Sequence, residues 1–117
     1  MNLLKSLLGS SSQMRQVTAP EAKAMIDGDS RPFILDVRQP SEFSGGHVAG
    51  AKLIPLDQLQ SRMKELPTDR TILCVCRSGS RSGAAARQLA SAGYDAINLR
   101  GGMIGWQMAQ LPISRGK

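Results

Sequence analysis

The residues best suited to chemistry stand together in Cys76-Arg77-Ser78-Gly79-Ser80-Arg81-Ser82. Before them, Thr71-Ile72-Leu73-Cys74-Val75 is apolar and β-branched where a short buried strand requires it. After them, Gly83-Ala84-Ala85-Ala86-Arg87-Gln88-Leu89-Ala90 reads as a helix. The cysteine therefore sits where a strand ends, ahead of a short loop and a helix N-terminus. Backbone N–H groups in such a loop are free to point inward, and the helix dipole adds partial positive charge. That combination favours a bound anion, and it favours a thiolate over a thiol. Ser78, Ser80 and Ser82 belong to this cradle, with Ser78 and Ser80 contributing mainly their backbone N–H groups. Gly79 permits the turn.

Arg77 and Arg81 oppose the dipole of the helix they precede, and an unfavourable placement beside a cysteine suggests a role. Arg77 is expected to bind an anionic substrate. Arg81 is assigned to the same set, although its side chain can also turn back into the protein. Cys74, two residues before Cys76, is expected in the core. A disulfide between the two would be strained.

Alternating short strands and helices have to position this loop. Gln16-Val17-Thr18 opens the domain as an edge strand. Thr18, Pro20 and Glu21 start a helix as a capping box, and that helix ends at Gly28. Phe33-Ile34-Leu35-Asp36-Val37 is a buried strand with a polar end. Pro40-Ser41-Glu42-Phe43 is a helical turn, and Lys52-Leu53-Ile54 a very short strand. Leu56, Leu59, Met63 and Leu66 mark one face of a helix over 56–65. A helix from 81 to 92 stops at Gly93. Ala96-Ile97-Asn98-Leu99 makes the fifth strand, and a short helix spans 103–108. The order argues an α/β fold, a parallel sheet covered on both faces, with ligands at the carboxyl ends of the strands. Cys76, Asp36 and Arg38 all fall there. Asp36 is expected to tie down neighbouring loop amides and Arg38 to pair with Glu42.

The chain has 117 residues, enough for one domain, with residues 1–15 as a flexible arm and 111–117 as a fraying tail. Only Trp106, Tyr94, Phe33 and Phe43 are aromatic, too few for a base-stacking platform, so nucleic acid is not an expected partner. The net charge of +6 suits small anions. Two cysteines two apart do not make a disulfide scaffold, and reduced thiols in the cytoplasm are expected. With one histidine they do not make a zinc site either. Leu3, Leu4, Leu7 and Leu8 are too few, and too interrupted by Lys5, for a membrane span or a signal peptide.

Five motifs in order resemble the single-domain rhodanese family over residues 16–110. They are Ile34-Leu35-Asp36-Val37-Arg38, Glu42-Phe43, Gly46-His47-Val48-Ala49-Gly50-Ala51, the Cys76 loop, and Leu99-Arg100-Gly101-Gly102 with Gly105-Trp106. The resemblance implies a three-layer fold with a five-stranded, mostly parallel sheet flanked by helices. It implies a thiosulfate sulfurtransferase that needs no cofactor and works through a persulfide on Cys76. Donors would be thiosulfate or a persulfide; acceptors would be cyanide, a thiol or a sulfur-relay protein. His47 falls on the family's histidine and is expected to brace its loop, in a supporting shell with Asp36, Arg38 and Glu42. Phosphatases and arsenate reductases that resemble the family carry one more loop residue, and the shorter Cys76–Arg81 loop suits a sulfane sulfur better than a tetrahedral oxyanion. Two alternatives stand beside this reading. Cys74 would be a resolving thiol that attacks the persulfide, or the domain would be a non-enzymatic interaction or sulfur-delivery module with weak turnover.

Overall fold

A computed structural model describes residues 14–117. Most of the expected N-terminal arm therefore lies outside the described residues. The elements are β1 (Gln16–Val17), α1 (Ala19–Asp27), β2 (Phe33–Asp36), α2 (Pro40–Ser44), β3 (Lys52–Leu53), α3 (Leu59–Arg62), β4 (Ile72–Val75), α4 (Ser80–Ser91), β5 (Ala96–Leu99) and α5 (Gly102–Met108). The five strands pair in the order β1-β5-β4-β2-β3, and every pairing is parallel.

Side chains of β4 alternate between two cores. Ile72 and Cys74, with Cys76 beyond the strand end, join Leu35, Leu59, Ala85, Ala86 and Leu89 on one face. Leu73 and Val75 join Ile34, Ile97, Ala22, Ile26, Met103 and Trp106 on the other. Thus α3 and α4 cover one face while α1 and α5 cover the other. The central strands are buried on both sides, which is why they read as continuous apolar runs.

Local chemistry fixes the ends of the helices. Thr18 and Glu21 form the expected capping box on α1: Glu21 N–H donates to Thr18 Oγ1, and Thr18 N–H donates to Glu21 Oε1. Gly93, with φ 95°, ends α4 in a Schellman turn in which Gly93 N–H reaches Ala90 O and Tyr94 N–H reaches Leu89 O. The helix expected over 56–65 is three pieces, with 3₁₀ turns at Leu56–Gln58 and Met63–Glu65 around α3. Its apolar residues explain the break. Leu56 to Leu59 and Met63 to Leu66 are steps of three, which a 3₁₀ turn places on one side better than an α-helix does.

The tail expected to fray is docked. His47 and Ser114 exchange backbone hydrogen bonds at 2.8 and 2.7 Å. Trp106 Nε1 donates to Pro112 O, and Gly116 N–H donates to Ser44 O. A buried indole N–H needs a partner, and the tail supplies it.

Candidate active site

The parallel register brings the carboxyl ends of β2, β4 and β5 to one edge. Asp36 lies opposite Val75, so the segment after β2 runs beside the loop after β4. The chain leaves β2 towards β3 and leaves β4 towards β5, in opposite directions across the sheet. Crevices at such a switch point are where ligands bind in open α/β sheets.

Cys76 has no exposed surface. Its Sγ accepts the Gly79 N–H at 3.1 Å and lies 3.2 Å from the Ser82 hydroxyl. Burial pushes the thiol pKa up. Hydrogen bonds from the Ser82 hydroxyl and from the backbone of Ser82, Gly79 and Ser78 outweigh it, and the net direction is downward from the ordinary value. Gly79 adopts φ 104° to turn its N–H inward at the start of α4. Cys74 differs completely: burial, with Cys76 nearby, pushes its thiol up to about 12, and it has no exposed surface. Both thiols are free.

The loop is held from behind by α5. Met103 N–H donates to Cys76 O at 2.8 Å and Ile104 N–H to Arg77 O at 3.0 Å. With its carbonyls turned towards α5, the loop has its amides left for the sulfur. Gly102, with φ 56°, makes this approach possible, since a Cβ there would lie 2.5 Å from both carbonyl oxygens.

The supporting ion pairs differ from the expected ones. Arg38 does not pair with Glu42. Its Nε donates to Asp36 Oδ1 at 2.9 Å, and its Nη2 donates to Asp36 Oδ2 and to Gly46 O, both at 2.8 Å. Asp36 also accepts the Arg38 N–H, so it does tie down a loop amide as expected. Both residues are buried, and a short reach of two residues satisfies the charge locally. Glu42 is instead the partner of Arg81, through two parallel bonds of 2.8 Å. That guanidinium holds the Glu42 carboxyl down at about 2. Arg81 therefore turns back onto α2. Arg77 makes no ion pair among the described residues. His47 is buried, stacked on Phe43 at 3.7 Å, with Nδ1 2.7 Å from Phe43 O, the position of a loop brace.

Beside the loop lies a cavity of about 350 Å³ lined by Arg38, Ser41, Glu42, Arg77, Met103 and Gln107, among others. Cys76 is not part of its wall. Two contributions go beyond the sequence reading, which places the loop Arg100-Gly101-Gly102-Met103 only at the pocket rim. Gly102 reads there as part of a glycine turn, with no sign of its contact to the loop. Asn98 does carry a signal, since a lone amide in an apolar four-residue strand must find buried partners. It lies beneath the loop, bonded to Ser82 and Gly79.

The rhodanese-like domain family matches residues 18–109. The chain belongs to the rhodanese-like family. An uncharacterised Bacillus subtilis protein, YqhL, is 42% identical over 94 residues, which is 80% of this chain and 72% of that protein. A sulfurtransferase of Allochromatium vinosum is 41% identical over 82 residues, 69% of this chain and 77% of that one. Among solved structures, a thiosulfate sulfurtransferase from Pseudomonas aeruginosa superposes with a TM-score of 0.83 at 27% identity, covering 95% of this chain. This rhodanese-like chain spans only 22% of that larger protein. Its five-stranded parallel sheet with helices is the fold of its structural neighbours. Among the described residues, no helix is long and apolar enough to cross a membrane.

Proposed function

We propose that this rhodanese-like chain is a sulfurtransferase that carries sulfane sulfur as a persulfide on Cys76. The observation that carries the reading is the environment of Sγ, faced by the Gly79 amide and the Ser82 hydroxyl, with the thiol pKa lowered despite burial. The Cys76 thiolate attacks the outer sulfur of thiosulfate. A new S–S bond forms, the S–S bond of the donor breaks, and sulfite leaves with the electron pair. Arg77 at the cavity rim offsets charge on the donor and on the departing sulfite. A thiolate or cyanide acceptor then attacks the terminal sulfur, and Cys76 leaves as thiolate into the same donors. Preorganised donors of this kind contribute on the order of 3 kcal/mol to such steps. A reducing, cytoplasmic setting would keep both thiols free for the cycle.

The complete burial of Cys76 favours a second reading, a delivery module with weak turnover in which a sulfur-relay partner uncovers the loop. One experiment separates them. Incubation with thiosulfate and intact mass measurement should give a gain of about 32 Da, one sulfur held covalently. The gain should be absent in Cys76→Ser, and cyanide should discharge it as thiocyanate. No adduct and no thiocyanate would overturn the enzyme reading.

A further inference from the structure

Asn98 is buried on β5, and its hydrogen bonds are fully determined by their partners. The amide nitrogen faces two groups that accept, Gly79 O at 3.1 Å and Gln16 Oε1 at 3.0 Å. A main-chain carbonyl can only accept, so the amide oxygen is the end that faces Ser82. Ser82 Oγ lies 2.5 Å from Asn98 Oδ1 and 3.2 Å from Cys76 Sγ. A serine hydroxyl has one proton to donate. Two acceptors therefore compete for it, one on each side, and Ser82 itself has no exposed surface through which water could help.

We propose that Asn98 is a positioning residue for Cys76, and that the Ser82 hydroxyl turns between Asn98 Oδ1 and Cys76 Sγ as the charge on the sulfur changes. When Sγ is a neutral thiol it is a weak acceptor, and Ser82 donates to Asn98. When Sγ becomes a thiolate it is the stronger acceptor, and the hydroxyl turns to it with no proton transferred. Asn98 Oδ1 then faces a hydroxyl lone pair and loses its donor. Asn98 thus favours the neutral sulfur. In the persulfide, Sγ is a neutral divalent sulfur with the charge on the terminal atom, so the hydroxyl rests on Asn98 until Sγ departs as thiolate. That last stage rests on the function proposed above; the turn of the hydroxyl requires only the thiol.

The charged groups near Cys76 do not depend on Asn98. Arg81 is paired with Glu42, Asp36 with Arg38, Arg77 faces the cavity, and Cys74 stays protonated.

The test is the pH midpoint of Cys76 alkylation by iodoacetamide, with no sulfur donor present, so that it stands apart from the persulfide experiment. Ser82→Ala should raise the midpoint by about half to one pH unit, the worth of one hydrogen bond to the anion less the bond to Asn98 given up for it. Asn98→Ala also releases Gly79 O, so it is measured both in the wild-type background and in the Ser82→Ala background. Its shift with Ser82 present should lie about half a unit or more below its shift in the Ser82→Ala background. Equal shifts in the two backgrounds would mean that Asn98 acts only through Gly79 or packing, and would overturn the proposal. Asn98→Asp keeps the volume and the oxygen facing Ser82 should the alanine variant fail to fold. There the hydroxyl is held on the carboxyl group, and adding Ser82→Ala should leave the midpoint unchanged. A rise as large as in the wild-type background would overturn the proposal equally.

Discussion

Replacing Gly102 with alanine should disable the Cys76 loop without touching any side chain in it. A Cβ at position 102 would stand 2.5 Å from Cys76 O, 2.5 Å from Arg77 O and 2.6 Å from Arg77 C. All three are backbone atoms, so no side chain can swing aside. They must retreat by roughly half an ångström to reach even the closest contact that side-chain carbons make. The left-handed φ of 56° adds about 1–2 kcal/mol for a residue with a Cβ. The retreat lengthens the bonds from Met103 and Ile104 N–H and turns the loop amides away from Sγ. At about 4 °C or more per kcal/mol for a domain of this size, the melting temperature should fall by roughly 5–10 °C. Misplacement costs up to ~100-fold per ångström, so persulfide formation should slow about tenfold. The assays are thermal unfolding and the rate of sulfur loading from thiosulfate by intact mass. Gly105→Ala is the control: its Cβ would meet only Arg100 O at 3.7 Å, an ordinary contact, and alanine favours a helix by about 1 kcal/mol. If Gly102→Ala melts no lower and loads no more slowly than Gly105→Ala, the backbone clamp on the loop is refuted.

Two further perturbations test the surroundings. Glu42 has its folded pKa lowered to about 2 from 4.5, so its contribution to stability is full above pH 4.5 and is lost as pH falls towards 2. Glu42→Gln should therefore lower the melting temperature near neutrality by the equivalent of about 1 kcal/mol or less, because the pair is partly screened, with the curves converging towards pH 2; parallel curves would exclude this. Cys74→Ala should keep the Cys76 alkylation midpoint and the sulfur adduct, and should lose only stability, about 1 kcal/mol, for the vacated core volume. Loss of sulfur transfer to acceptor in that variant would restore Cys74 as a resolving thiol.

Short-range chemistry was legible in the sequence. Thr18 and Glu21 meet across three residues, Ile72 to Val75 carry their burial in their own composition, and Cys76 announces its loop by what flanks it. What could not be read depends on distance in space. Arg38 stands near both Asp36 and Glu42 along the chain, and only the turn after β2 decides that it folds onto the former. Glu42 then accepts Arg81, 39 residues away. Gly102 looks like any glycine in a turn until the loop after β4 is laid against it. Asn98 is one polar letter in a strand, with nothing local to say that it faces the sulfur side. The tail lacks periodicity, and its docking depends on the buried Trp106 indole and the open edge at His47.

The sulfur's environment is gathered from the whole length of the chain. Asn98 meets Gln16 across 82 residues, and the clamp on the Cys76 loop comes from α5, which follows the last strand. Contacts distant in sequence are slow to form, because the chain loses loop entropy before they return any stability. A partly folded chain with only β2, β4 and α4 in place therefore lacks both the clamp on the loop carbonyls and the contact of Asn98 with Ser82. The pH dependence of Cys76 reactivity then becomes a clock for the end of folding. It changes when β5 and α5 close over the loop, and it distinguishes a finished molecule from a compact one that has only its central strands in place.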